Sequence, residues 1–179
     1  MGKQRAGKSG SHMKVAAFIV AALLIGSSAA QAQVPAIIGT WKLHVAASKF
    51  PGPPPQTHVR SYRRNESGVL VGVAVIVDAQ GRPSFLQFAA KVDGKDYPEF
   101  STDSAAAYLS DGTPPPRTYA EIPTSDPRRV KWVDKAGGKL LFSGEKWVSA
   151  DGQKLSFTVD TKEQGKAVQF LYVFDRTGP

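Results

Sequence analysis

The sequence predicts an all-β protein in which about eight strands run up and down and close into an antiparallel barrel. Apolar and polar side chains alternate with a period of two over many short stretches, which is the pattern of half-buried strands. Glycine-containing turn signals, such as Asp78-Ala-Gln-Gly81 and Ala150-Asp-Gly152, separate these stretches at the short spacing of hairpins. No segment of useful length has a helical period. A meander of sequential hairpins is therefore the expected architecture.

The predicted strands cover residues 39–46, 57–64, 69–78, 83–93, 128–135, 139–149, 153–162 and 166–176, and a further short strand at 117–122 is left open. The segment Pro51-Gly-Pro-Pro-Pro55 is rich in residues that cannot donate to a ladder, so it predicts an extended surface bridge. Residues 97–127 form a long, proline-rich, irregular segment, and loops of this length are usually functional or disordered. We expect part of 97–127 to form a flap over one mouth of the barrel, with a passive surface excursion as the alternative.

The first and last strands carry the most specific pattern. Trp41, Leu43 and Val45 share one face of the first strand, and Tyr172, Phe174 and Arg176 share one face of the last. A sheet closed by these two strands brings the Arg176 guanidinium to the Trp41 indole, where a cation–π contact is favourable. The sequence therefore predicts that the two ends of the chain meet and close the barrel.

This order of residues resembles the calycin superfamily, which includes lipocalins and fatty-acid-binding proteins, and it indicates a bacterial-type exported lipocalin-like protein. The stretch Gly39-Thr-Trp-Lys-Leu43 is especially similar to the opening strand of fatty-acid-binding proteins. The resemblance implies a barrel sealed at one end by the Trp–Arg pair. It also implies a ligand-carboxylate site of the form Arg-x-Tyr on the last strand. Here Tyr172 and Phe174 stand at those places, so the usual fatty-acid headgroup site is missing.

The N-terminal region predicts export. Residues 13–32 contain Lys14, an apolar run over 15–25 and small residues that end at Ala32, which together have the form of a signal peptide. The apolar run is shorter than the ~20 residues needed to span a bilayer, and the alternative is an uncleaved anchor or a buried helix. Residues 1–12 look like a cloning tag or an over-called start. Cleavage leaves one β-barrel domain, 33–179, expected to be periplasmic or secreted, without stable membrane insertion.

Composition excludes several function classes. The chain has 23 basic and 15 acidic residues; four of the basic ones precede residue 33, which leaves a domain of net charge +4. The basic residues are scattered and no nucleic-acid motif occurs, so no nucleic-acid partner is expected. The absence of cysteine excludes disulfides and thiol chemistry. His44 and His58 are expected to face outward or have no clear phase, and no nucleophile elbow or phosphate loop occurs. No metal, cofactor or catalytic residue is therefore predicted.

The predicted ligand-binding residues are those that a period of two places on the inner face. An eight-stranded barrel has an interior that either fills with side chains or holds one small ligand. The predicted set consists of Arg60, Tyr62, Phe88, Trp132, Phe157, Phe170, Tyr172 and Phe174.

The phase of strand 57–64 stays open at this point. If Tyr62 points inward, Arg60 and Arg64 do too, and a guanidinium beside a phenol is a plausible carboxylate clamp. The opposite phase places Val59, Ser61 and Arg63 inside, and it is favoured because arginine is rarely buried without a partner. Strand 69–78 is apolar on both faces, so its phase is open as well.

From these features we predict a monomeric exported carrier that binds a small, mostly apolar molecule and performs no chemistry. One alternative is a barrel enzyme of isomerase or cyclase type, with Glu145, Tyr172 or Arg60 as candidates. Another is an interaction protein with a filled barrel and 97–127 as its contact surface. A filled interior would favour the interaction protein, a charged pair inside a cavity the enzyme, and an aromatic and aliphatic cavity the carrier.

Overall fold

A computed structural model describes residues 36–50, 52–102, 115–163 and 165–179. Within these residues the chain forms ten strands. They are β1 Gly39–Leu43, β2 Thr57–Arg64, β3 Leu70–Val77, β4 Pro83–Ala90, β5 Tyr97–Ser101, β6 Arg117–Pro123, β7 Arg129–Ala136, β8 Lys139–Val148, β9 Lys154–Glu163 and β10 Lys166–Gly178. The predicted leader and the segment before it lie outside the described residues. None of the helical segments among the described residues is long and apolar enough to cross a membrane.

The strands form one closed antiparallel barrel. Each strand pairs with the next one along the chain, and β1 also pairs with β10, which closes the sheet. The predicted all-β, up-and-down architecture is confirmed. The described part of the chain has ten strands, where the sequence predicted about eight. A barrel of this kind is compatible with the calycin-like barrel that the terminal strands resemble.

The two additional strands come from the segment that was predicted to be irregular. β5 and β6 lie on either side of residues 103–114. These residues, which form the central part of the expected flap, lie outside the described residues. Pro98 has no N–H to donate. It lies opposite Thr118 of β6, at a position of β5 that has no partner on β4, so the strand tolerates a proline there. The inward positions of β5 and β6 include Glu99 and Glu121, so the apolar alternation that marks a strand is missing.

The sealed end of the barrel is built around Trp41, which is fully buried. Its Nε1 donates a 2.8 Å hydrogen bond to the carbonyl of Ile37, and the Arg176 guanidinium lies 4.1 Å from the centre of the indole ring. The predicted contact between Trp41 and Arg176 is confirmed. Val45, which was expected on the same inward face as Trp41, is exposed, because β1 ends at Leu43 and the chain turns into the 3-10 segment Val45–Ala47.

Arg176 also satisfies backbone carbonyls at this end. Its guanidinium donates to Ala36 and Ile38, at 2.7 and 2.6 Å, and to Gly152 at 2.7 Å. Gly39 leaves room for it: a β-carbon at this position would lie 2.5 Å from Arg176 Nη1, and the φ of +134° is one that other residues rarely adopt. Gly39, two residues before the tryptophan, is thus required by the packing of the arginine.

We expect Trp41→Ala to lower the free energy of unfolding by about 3–5 kcal/mol, because it removes a fully buried aromatic ring. Arg176→Ala should cost less, and the double variant should cost less than the two single losses added together, since the side chains touch. Urea unfolding of the two single variants and the double variant measures this coupling. The same cycle with the exposed Arg82 in place of Arg176 is the control and should be additive. Additivity in the Trp41–Arg176 cycle would contradict the proposed role of this contact.

Candidate functional site

The interior of the barrel contains a partly open cavity of about 290 Å³. Much of its wall is aromatic or aliphatic. Of the eight predicted ligand-binding residues, seven line it: Arg60, Tyr62, Phe88, Trp132, Phe157, Phe170 and Tyr172. The eighth, Phe174, is fully buried and stacks against Phe157 at 5.4 Å between ring centres, outside the cavity lining. That these residues bind a ligand stays a prediction.

Two stacks of aromatic rings shape the cavity. In one, Phe88 and Tyr119 stack at 3.9 Å between ring centres, and Trp132 continues the stack at 6.4 Å from Tyr119. In the other, Phe157 and Tyr172 stack at 5.0 Å. Stacking of this kind stabilises the wall beyond simple burial and keeps the rings in fixed orientations. The rings therefore give the apolar part of the cavity a fixed shape.

The inner face of β2 carries His58, Arg60 and Tyr62. Arg60 Nε donates to His58 Nε2 at 3.0 Å, Arg60 Nη1 donates to the Tyr62 hydroxyl at 3.3 Å, and the guanidinium lies 4.4 Å from the centre of the Phe157 ring. The phase that was favoured from the sequence, with Arg60 in water, is wrong, and so is the outward expectation for His58. Arginine is accepted here because its weakly hydrated, planar cation can stack on an aromatic ring while donating hydrogen bonds.

His58 is held in one protonation state and one tautomer. It is 3 % exposed, and burial, followed by the positive charge of Arg60, lowers its pKa well below the usual 6.5. Because Arg60 can only donate, the His58 Nε2 that it contacts must carry the lone pair, and Nδ1 carries the proton. Within the described residues this Nδ1 has no hydrogen-bond partner. Trp132 Nε1, in the wall formed by β7, is likewise buried without a partner there.

A buried charged cluster crosses from β6 to β8. Lys146 forms an ion pair with Glu121, and the Tyr119 hydroxyl donates to Glu121 Oε1 at 2.8 Å while lying 3.0 Å from Lys146 Nζ. The ammonium also lies 5.0 Å from the centre of the Tyr62 ring. Burial first, and then the charge of Glu121, raise the pKa of Tyr119 well above its usual 10, so the phenol stays protonated. The cluster thus holds its positive and negative charges in direct contact.

A second buried cluster joins β5, β6 and β7. Arg117 lies between two carboxylates: its Nη2 is 3.0 Å from Glu99 Oε1, and it forms an ion pair with Asp134. Glu99 and Asp134 line the cavity. The adjacent strands bring these three residues together, since Glu99 is opposite Arg117 in the β5–β6 ladder.

Sequence reasoning missed these two clusters. Glu145, the acid named as a candidate for the enzyme alternative, forms an ion pair with Arg129 at 2.6 Å, and both side chains are 36 % exposed. On β8 the buried side chains are Lys146 and Val148, which alternate with Glu145 and Trp147. The sequence signal for a buried Lys146 was its alternation with Glu145 and Trp147 along β8. A lysine at such a position is normally interpreted as solvent-exposed.

The chain matches no protein-family model and no curated protein. Among the residues that the structure describes, no group of three or more histidine, cysteine, aspartate or glutamate side chains is arranged to hold a metal ion.

The lowered pKa of His58 predicts a pH-dependent stability. Below pH 6.5 the unfolded chain takes up a proton at this histidine and the folded chain does not, so the stabilisation present above pH 6.5 is lost as the pH falls toward the lowered pKa. Each pH unit in that window costs about 1.4 kcal/mol. We expect the stability advantage of the wild type over His58→Gln to shrink by about 1 kcal/mol between pH 7.5 and 5.5. Urea unfolding of both proteins at both pH values checks this, and a constant difference would contradict a neutral His58.

Proposed function

We propose that this protein is an exported, monomeric carrier that binds a small, mostly apolar molecule inside a calycin-like, lipocalin-type barrel. The observation that carries the proposal is the cavity of about 290 Å³ within a closed barrel. Small-molecule sites are concave and mostly apolar, with a few polar groups that fix orientation, and this cavity has that composition. A barrel filled by side chains, which the interaction-protein alternative requires, would leave no such space.

The charged clusters inside the barrel favour a second candidate, an isomerase or cyclase-type enzyme. Proton transfer in such an enzyme needs a positioned group that can give or take a proton near neutral pH. Glu121 is already bonded to Tyr119 and Lys146, and the His58 lone pair is occupied by Arg60. Carriage without chemistry is therefore the proposal that we place first.

The three residues that the sequence offered for the enzyme add little support to it. Glu145 is on the outer surface with Arg129. Burial raises the pKa of Tyr172 above its usual 10, so this phenol remains protonated at neutral pH. Arg60 is a permanent cation and is suited to binding an anion more than to proton transfer. Analysis of a bound compound after long incubation distinguishes the two candidates, since a carrier returns it chemically unchanged.

The export part of the proposal rests on the sequence of residues 13–32 alone. We expect exported material to begin at Gln33 or within a few residues of it, because the run of small residues before Gln33 has the form of a cleavage site. N-terminal sequencing of protein recovered outside the cytoplasm measures this. Intact protein retained in the inner membrane would contradict the leader, without bearing on the cavity.

We expect an environment-sensitive apolar dye to bind the wild type, and to stabilise it by about 2.7 kcal/mol at a hundredfold excess over its dissociation constant. Phe157→Glu should abolish the fluorescence signal, because it places a charge in the aromatic wall. Ser156→Glu on the opposite face of β9 is the matched control and should bind as the wild type does. Val159→Glu, nearer the barrel mouth and only partly buried, serves if Phe157→Glu does not fold. Unchanged dye binding in a folded Phe157→Glu protein would place the dye on the surface and contradict the carrier proposal.

A further inference from the structure

We propose that the ligand of this cavity is an organic acid, whose carboxylate is bound by Arg60 and whose body is mostly apolar. This inference rests on the proposed function and names the ligand class. Its basis is the distribution of charge in the interior of the barrel, since the cations in and around the cavity differ in what neutralises them.

Lys146 is neutralised by Glu121, and Arg117 lies between Glu99 and Asp134. Arg60 differs from both. Across the described residues no carboxylate forms an ion pair with Arg60, and its hydrogen bonds go to a histidine and a phenol. The histidine is neutral, because burial and Arg60 itself lower its pKa. The Arg60 charge therefore has only uncharged partners in the described structure.

This arrangement constrains what can occupy the cavity. In the free protein Arg60 is partly buried and water in the cavity can solvate it. A wholly apolar ligand would displace that water and leave a desolvated cation, which is costly. A ligand that carries its own anion supplies the missing counter-charge at the moment when the water leaves. The acid is thus favoured over a neutral compound of the same shape.

The geometry of Arg60 suits a carboxylate. A guanidinium has five N–H donors, and the bonds to His58 Nε2 and Tyr62 use two of them. The remaining donors can form the paired hydrogen bonds by which arginine binds a planar carboxylate. These two bonds, together with the contact to the Phe157 ring, hold the guanidinium in place before the ligand arrives. Less conformational freedom is then lost on binding.

His58 adds a second donor on the same strand face. Its Nδ1–H is buried and has no partner within the described residues, which is an uncommon condition for a polar group in a folded protein. His58 lines the cavity, but less than 1 Å² of Nδ1 is exposed, so the ring must shift slightly before an acceptor oxygen on the ligand can satisfy it. The proposed carboxylate site lies on β2, whose His58, Arg60 and Tyr62 point inward. It therefore differs from the headgroup site that the resemblance to fatty-acid-binding proteins implied on the last strand.

The test uses three probes with the same ring system and different head groups: 2-naphthoate, 2-naphthalenemethanol and 2-naphthylmethylammonium. We expect the wild type to bind 2-naphthoate about 10- to 100-fold more tightly than the alcohol, the range of a charge-assisted hydrogen-bonded pair. Fluorescence titration at pH 7.5 measures all three. Acetate, tested as a competitor, should fail to displace 2-naphthoate because it lacks the apolar body. Displacement by acetate at comparable concentration would indicate a simple anion site and would overturn the proposal.

Variants assign the preference to Arg60. Arg60→Met should remove most of the preference for the acid and leave binding of the alcohol nearly unchanged, while Arg63→Met, on the exposed face of the same strand, should behave as the wild type. Arg60→Lys keeps the charge but cannot form the paired hydrogen bonds of a guanidinium, so it should weaken 2-naphthoate binding by a smaller factor. This variant replaces Arg60→Met if the latter does not fold.

Two results would overturn the inference. Equal affinity of the wild type for the acid and the alcohol would show that Arg60 does not select the head group, while the carrier proposal would stand if Phe157→Glu still abolished binding. Tightest binding of the ammonium probe would show that Glu99 and Asp134 select the ligand instead. Failure of every naphthalene probe to bind the wild type would remove both this inference and the carrier proposal.

Discussion

The contact between Arg176 and Trp41 is the interaction on which the rest of this barrel depends. A meander of hairpins becomes a barrel only when its first and last strands pair, and this contact lies at the register position where β1 meets β10. The guanidinium covers the buried indole and donates to three backbone carbonyls, so that these carbonyls are satisfied at the sealed end. Without closure the outer strands would keep unpaired edges, which are prone to association with other chains. Closure also makes an interior, and therefore a cavity, available.

Charge within that interior is the second constraint. The ion pair of Lys146 with Glu121 and the cluster around Arg117 are each assembled from neighbouring strands. Removal of one partner from a buried pair typically costs about 3–5 kcal/mol, because it leaves the other charge without compensation. The clusters therefore fix the relative positions of β5 to β8. Arg60, which forms no ion pair within the described residues, lies on β2, opposite β7 in the closed order of strands.

Close packing of rings against glycine gives the apolar part of the cavity its shape. Gly72 is opposite Phe88 in the β3–β4 ladder, and a β-carbon at Gly72 would lie 2.4 Å from the Phe88 ring. The ring therefore lies over the backbone of β3, where it stacks on Tyr119. Phe88 is in turn 5.6 Å from the Lys146 ammonium, so the aromatic wall and the charged cluster support one another. A mostly apolar cavity with a fixed polar edge is the result.

The sequence by itself determined the all-β class, the order of hairpins, the closing contact of Trp41 with Arg176 and several of the aromatic residues in the cavity wall. These features depend on signals that lie within a few residues of one another: alternation with a period of two, turn glycines and the aromatic faces of the end strands. The tertiary structure alone decided whether Arg60 and His58 face inward, that Lys146 rather than Glu145 is buried, and that β5 and β6 are strands. In each case a charged or polar side chain occupies an inward position, and its burial is tolerated only because of partners on other strands: Glu121 for Lys146, Arg117 for Glu99, and the Phe157 ring for Arg60. Those partners are 18 to 97 positions away along the chain, so no local pattern in the sequence records the compensation.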